Sequence, residues 1–171
     1  MNRHASPTPS RDAHPLGRGD LQRFIDGGSV AARIIPLQAH TTTVPEAAHA
    51  LGVAEDQVVK SLVFLAGAEP RLVINCGLAR VDRRKLAAYL GMGRGRVRFA
   101  SPEQALAVTG FVVGSMPPFG HRSVLRTLVD ETVARQATVY GGGGGIDAMM
   151  ELSSAELLRV TRGEMADLSE R

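Results

Sequence analysis

An α/β (α+β) domain, with a mixed and largely antiparallel sheet surrounded by helices, is the fold class that this 171-residue chain predicts. Three observations predict it. Short β-branched runs and helix-opening signatures follow one another in a mixed order, without regular βαβ alternation. Several connections between the runs have hairpin length. Capping residues recur at the start of each helical run, so helices punctuate the strands along the whole chain.

Taken in order, residues 1–19 are rich in Pro, Ser, Gly, His and Arg and read as a disordered tail, leaving 20–171 as a single domain. Asp20 is expected to cap a short helix, LQRFID, stopped by Gly27 and Gly28. AARIIPL reads as a short strand. Thr43-x-x-Glu46 fits a capping box and opens a helix, VPEAAHAL, closed by Gly52. VVKSLVFL (58–65) and RLVIN (71–75) are strand-like and separated by the turn GAEP, which predicts a hairpin. Asp82 caps RRKLAAYL, ended by Gly91, and RVRF (96–99) is a brief strand. Ser101-Pro102-x-Gln104 starts a helix that runs to Gly110. After an irregular loop over 110–121, SVLRTLVD (123–130), ATVY (137–140) and AMMEL (148–152) read as strands. Ser153-x-x-Glu156 caps a last helix, SAELLRV. There is no internal repeat.

Composition narrows the class. Hydrophobic residues make up 44% and charged residues 22%, ordinary for a globular protein, and 171 residues suffice to bury most of the apolar surface. With five Phe, two Tyr and no Trp, the core must rest on Val, Leu, Ala and Ile. A single Cys76 excludes an intramolecular disulfide and any cysteine-based zinc cluster. No apolar run approaches the ~20 residues that span a bilayer, and the N-terminus has no secretory h-region, so a cytoplasmic protein without membrane contact is expected. The net charge of +3 is compatible with a polyanionic partner without being diagnostic. Of the 20 basic residues only Lys60 and Lys85 are lysines, which singles them out.

Lys60 shares a strand face with Val58, Leu62 and Phe64, because side chains alternate along a strand. Its ammonium either snorkels out at the strand's end or is held in a cleft for a phosphate or carbonyl oxygen. The loop GFVVGSMPPFGH (110–121) has almost no ionisable side chain. It is either a structural turn or a rigid turn whose backbone N–H groups hold a developing oxyanion. It is no nucleophile elbow, since Val113 stands where G-x-S-x-G needs glycine. The run GGGGGID lacks the following Lys-Ser/Thr of a phosphate loop and does not meet G-x-G-x-x-G, so a flexible turn is the plainer account. Asp147 at its end is a candidate polar group at a pocket mouth. The five histidines, His4, His14, His40, His49 and His121, offer no i, i+4 pair, so no metal site is expected. Ser115 has no local base. Arg94, Arg96 and Arg98 form either a solvated strand face or a modest basic surface.

The segments VPEAAHALGVAEDQVVKSLVF, RVDRRKLAAYLG, RFASPEQALAVTGFVVGSMPPFGH and VYGGGGGIDAMMELSSAELLRV together resemble the YbaK/EbsC family. That family comprises free-standing relatives of the editing domain inserted in bacterial prolyl-tRNA synthetases. The resemblance covers roughly residues 30–162 and implies that fold. It also implies hydrolysis, in trans, of a small amino acid such as Ala or Cys wrongly esterified to tRNA(Pro), without metal or organic cofactor. The implied partners are the acceptor end of mischarged tRNA and prolyl-tRNA synthetase. The family's strand lysine falls on Lys60 and its glycine-x-x-x-proline loop on Gly114 to Pro118, with Ser115 inside it. Met116, Pro117, Phe119, Gly120, His121 and Asp147 are the implied substrate-binding residues, and Val113 and Met149 further candidate walls. Many relatives carry two adjacent glycines where this chain has Gly114-Ser115. A non-catalytic module of the same fold that binds tRNA ends or nucleotides is the alternative, and a hydrolase of another small ester a third.

Overall fold

The computed structural model describes residues 14–170, so residues 1–13, most of the expected tail, lie outside the described residues. The first helix, α1, spans Arg18–Gly27 and places the expected tail boundary inside its first turn. Asp20 is not its cap. The cap is Gly17, and the Asp20 carboxylate reaches back to accept the Gly17 N–H at 2.8 Å. A carboxylate satisfies orphan N–H groups from the first turn as well as from the cap itself, so the residue type alone does not fix the position.

The other helices start where their capping signatures stand. Thr43 opens α2 (Val44–Leu51) and accepts from Glu46 N, while the Glu46 carboxylate accepts from Thr42 N and Thr43 N. Asp82 opens α3 (Arg83–Tyr89), Ser101 opens α4 (Pro102–Thr109) and Ser153 opens α5 (Ser154–Thr161).

Among the described residues, eight strands form two sheets rather than one. In the first sheet β1 (Ala32–Pro36), β7 (Ala148–Ser153) and β6 (Thr138–Gly142) lie side by side in that order, all antiparallel. The second runs β4 (Val97–Phe99), β2 (Val59–Ala66), β3 (Glu69–Cys76), β5 (Arg126–Asp130), β8 (Glu164–Ala166). Here β2 pairs antiparallel with both β3 and β4, as the hairpin signal predicts, while β3–β5 and β5–β8 are parallel. Largely antiparallel, mixed overall, is therefore the observed class. A parallel bridge between Val58 and Tyr140 joins the two sheets.

The strand expected over 123–130 begins only at Arg126, and β8 was not expected at all. Its three residues, Glu-Met-Ala, carry no strand signature. Pairing with β5 makes them a strand, and the fully buried Leu168 just beyond them fastens the chain to the core. The buried Asp130 helps, accepting hydrogen bonds from Leu168 N at 2.8 Å, from Thr132 N at 3.0 Å and from the Thr132 hydroxyl.

The five-stranded sheet has a core on each face. Leu86 and Ala87 of α3 cover Phe64, Val73, Val97 and Leu128 on one side. On the other, Val59, Val63, Leu72, Ile74 and Val129 pack with Phe111, Met116, Phe119, Met150 and Leu157. Cys76 belongs to this second core, and burial pushes its thiol pKa up. Among the described residues, no helix is long and apolar enough to cross a membrane.

Candidate active site

Because β4 pairs only with Phe64–Ala66 of β2, the β2 edge from Val59 to Leu62 runs on past the end of its neighbour. Ala100 N closes off Val63 O at 2.9 Å, and below it the edge borders a cavity of about 260 Å³. That is near the small end of ligand pockets. Its wall is made by β2, the N-terminal residues of α2 and α4, Val113, Gly114 and Met116 of the loop, and Gly142 and Met149 of the three-stranded sheet.

Lys60 stands in this wall, half-buried. Its ammonium donates to Ala79 O, which also accepts from Asn75 Nδ2 at 2.8 Å; Asn75 is Lys60's partner across the β2–β3 ladder. Burial, foremost, lowers the Lys60 pKa, the Cys76 thiol works against that, and the Arg80 guanidinium adds to it. Lys60 thus borders the cavity, while its ammonium is bonded to a carbonyl outside the lining. An ammonium carries three donors and Ala79 O occupies one, so it retains capacity toward a ligand.

The loop is held by its backbone. Gly114 has φ +95°, a conformation that favours glycine, and Ser115 N closes a turn on Val112 O at 3.1 Å. The Ser115 hydroxyl also donates to Val112 O, at 2.8 Å, and Ser115 O accepts Gly144 N at 3.0 Å. The glycine run is the loop's support. A Cβ on Gly142 would lie 2.2 Å from Met116 O and 2.9 Å from Ser115 O, and one on Gly141 would meet the Pro118 ring at 3.2 Å. Only residues without side chains let β6 pass this close.

The expected site residues therefore divide. Lys60, Gly114 and Met116 line the cavity, as do the candidate walls Val113 and Met149. Ser115, Pro117, Pro118, Phe119, Gly120, His121 and Asp147 are not in its lining. Phe119 stacks on Phe24 of α1 with centroids 5.4 Å apart, and Gly120, at φ +78°, fits beneath the same ring. His121 shares a hydrogen bond with Pro117 O at 2.7 Å, and burial, more than this bond offsets, holds its pKa below the ordinary value. Asp147 is exposed, with its backbone carbonyl taken by Leu37 N at 2.7 Å.

Other lining residues were not foreseen. Thr41, Thr42 and Thr43 at the start of α2, and Phe99, Ala100 and Pro102 at the start of α4, all border the cavity. The two capping boxes marked both places in the sequence, but as helix starts only. Two hydroxyls of lining residues, Thr41 Oγ1 and Ser61 Oγ, are buried without a hydrogen-bond partner.

Residues 38–160 match the family model of the aminoacyl-tRNA editing domain. The uncharacterised protein YwhH of Bacillus subtilis is 29% identical over 125 residues, 72% of this chain and 78% of that protein. The proline–tRNA ligase of Streptococcus equi subsp. equi is 34% identical over 100 residues, which are 58% of this chain but only 16% of the ligase. Among solved structures, a candidate trans-editing enzyme for prolyl tRNA synthetase superposes with a TM-score of 0.83 at 32% identity, covering 97% of this chain and 100% of that one.

Proposed function

The chain belongs to the aminoacyl-tRNA editing domain family, and we propose that it hydrolyses, in trans, the ester of a small amino acid such as Ala or Cys misattached to tRNA(Pro). The observation that carries this reading is the meeting of Lys60 with Gly114 and Met116 around one small cavity. The aminoacyl carbonyl would sit against the loop, where the Gly114 N–H stabilises the oxyanion as water adds to the carbonyl carbon. The substrate's own neighbouring ribose hydroxyl assists that water. The ester C–O bond then breaks, and the departing ribose oxygen takes up a proton. The Lys60 ammonium holds the tRNA end.

Ser115 and Pro118 serve here as positioning residues, through the Val112 contact and the packing on Gly141. Pro117, Phe119, Gly120 and His121 fix the same loop from behind, and Asp147, which is not in the lining, is given no substrate contact in this reading. No metal or organic cofactor is called for. The partners are the acceptor end of mischarged tRNA and the prolyl-tRNA synthetase that produces it, in the cytoplasm. A second site that sorts by size is needed because one methylene gives a synthetase only ~1–3 kcal/mol of discrimination.

A panel of Ala-, Cys-, Ser- and Pro-tRNA(Pro), with release of amino acid followed in the presence of EDTA, tests the proposal. Release from a mischarged tRNA while Pro-tRNA(Pro) is spared is the expected outcome. Tight binding without release from any of them would instead make the protein a tRNA-end-binding module.

A further inference from the structure

Phe99 is the last residue of β4 and lines the cavity, yet it is 54% exposed. Val97, two residues earlier and on the same face of the strand, is 1% exposed beneath α3. The hydrophobic cover therefore ends between the two, and the Phe99 ring stands at the cavity's mouth. Its orientation is fixed from behind by the buried Phe64 ring, at a centroid separation of 5.1 Å and an interplanar angle of 74°. An edge-on neighbour of this kind holds the aromatic ring while leaving area for another partner. Val113, 51% exposed, belongs to the same mouth.

Basic residues adjoin the ring in sequence. Arg96 and Arg98 precede it in sequence, both exposed and neither in an ion pair among the described residues, with Arg98 donating to Gln104 Oε1 at 3.3 Å. Arg80 stands near Lys60 at the other end of the same β2 face. Lys60 and Phe64, the residue opposite Phe99, are four positions apart on β2, about 13 Å at ~3.3 Å per residue. That spacing is on the scale of the last two nucleotides of an extended strand. An exposed aromatic face next to exposed arginines free of ion pairs, with a lysine further along, suits a nucleobase and its phosphates.

We propose that Phe99 is the stacking platform for the 3′-terminal adenine of tRNA, with Lys60 and the preceding arginines meeting the phosphates. It rests on the editing reading above and adds the subsite that orients the ester over the loop. Phe99 is thus a residue for binding the nucleic acid rather than the amino acid.

The test uses aminoacylated minihelices ending in CCA, intact or with an abasic 3′-terminal ribose, against wild type, Phe99→Tyr, Phe99→Leu and Phe99→Ala. With the intact substrate, Phe99→Ala should lose roughly 5- to 150-fold in kcat/KM, the range of one aromatic–base stack. Phe99→Tyr should stay near wild type, and Phe99→Leu, which keeps apolar packing against Phe64, should fall between. With the abasic substrate, all four proteins should be equally slow. Equal losses on both substrates, or a Leu variant as active as wild type, would overturn the proposal. A second readout needs no turnover: an uncharged minihelix with 2-aminopurine at its 3′ end should be quenched on binding wild type and much less on binding Phe99→Ala. Quenching without deacylation would leave the stacking platform standing and remove the editing reading. Deacylation with quenching unchanged in Phe99→Ala would do the reverse.

Discussion

At the scale of single residues, Lys60 and His121 show how a side chain's surroundings decide its use. Lys60 was legible because lysine is rare in this chain, and strand alternation placed it on one face; where its ammonium goes depends on Ala79 and Asn75, which the pattern could not bring to it. His121 was grouped with the substrate-binding residues, but it packs behind the loop, its ring edge-on to Phe111 at 6.1 Å. Ser115 and Asp147 likewise lie outside the cavity lining, because a hydroxyl or carboxylate close in sequence to a cavity need not border it. The His121 environment has a consequence for stability. Its folded-state pKa lies below the ordinary value of about 6.5, with burial as the leading cause. The unfolded chain therefore takes up the proton first as pH falls. The stabilisation is present above pH ~6.5 and is lost on acidification from there through the lower folded value. Urea midpoints measured from about pH 7.5 to 5 should fall for wild type and fall less for His121→Gln; parallel curves would contradict this.

At the scale of elements, the loop 110–121 and the glycine run form one unit. The plain reading of the run as a flexible turn is replaced by a packing role: β6 includes Gly141 and Gly142, which lie under Pro118 and Met116. Nothing in the sequence pairs two loops about thirty residues apart, so this contact was not legible. The helices were, because each capping box is local and the backbone N–H groups it satisfies belong to the same turn. The strand β8 was not, since its identity comes from pairing with β5. Gly142→Ala should test the unit. Its Cβ would meet backbone oxygens on the loop, so the loop must move at a cost of about 1–3 kcal/mol, and deacylation should fall at least about tenfold. Gly27→Ala, at the end of α1 with nothing within 4 Å of the added Cβ, should leave activity unchanged. Equal behaviour of the two variants would remove the glycine run from the site's construction.

At the scale of the molecule, composition and hairpin spacing sufficed for the class, a mixed, largely antiparallel α/β fold, but not for its division into two sheets. That division follows from where β4 stops. With β4 bonded to only three residues of β2, the lower part of the β2 edge is left for the three-stranded sheet and the loop to approach, and the cavity is the space between them. Strand partners distant in sequence leave no periodic trace, whereas the motifs that carry the family resemblance survive as short contiguous strings. The central claim, that this edge and loop together release misattached amino acids, is tested most directly by single-turnover hydrolysis of Ala-tRNA(Pro) and Cys-tRNA(Pro) by wild type and Lys60→Ala of equal Tm. The account predicts release by wild type and a loss of roughly 10- to 100-fold in the variant, the scale of one missing charged hydrogen bond to the tRNA end. Undiminished release by Lys60→Ala would contradict it.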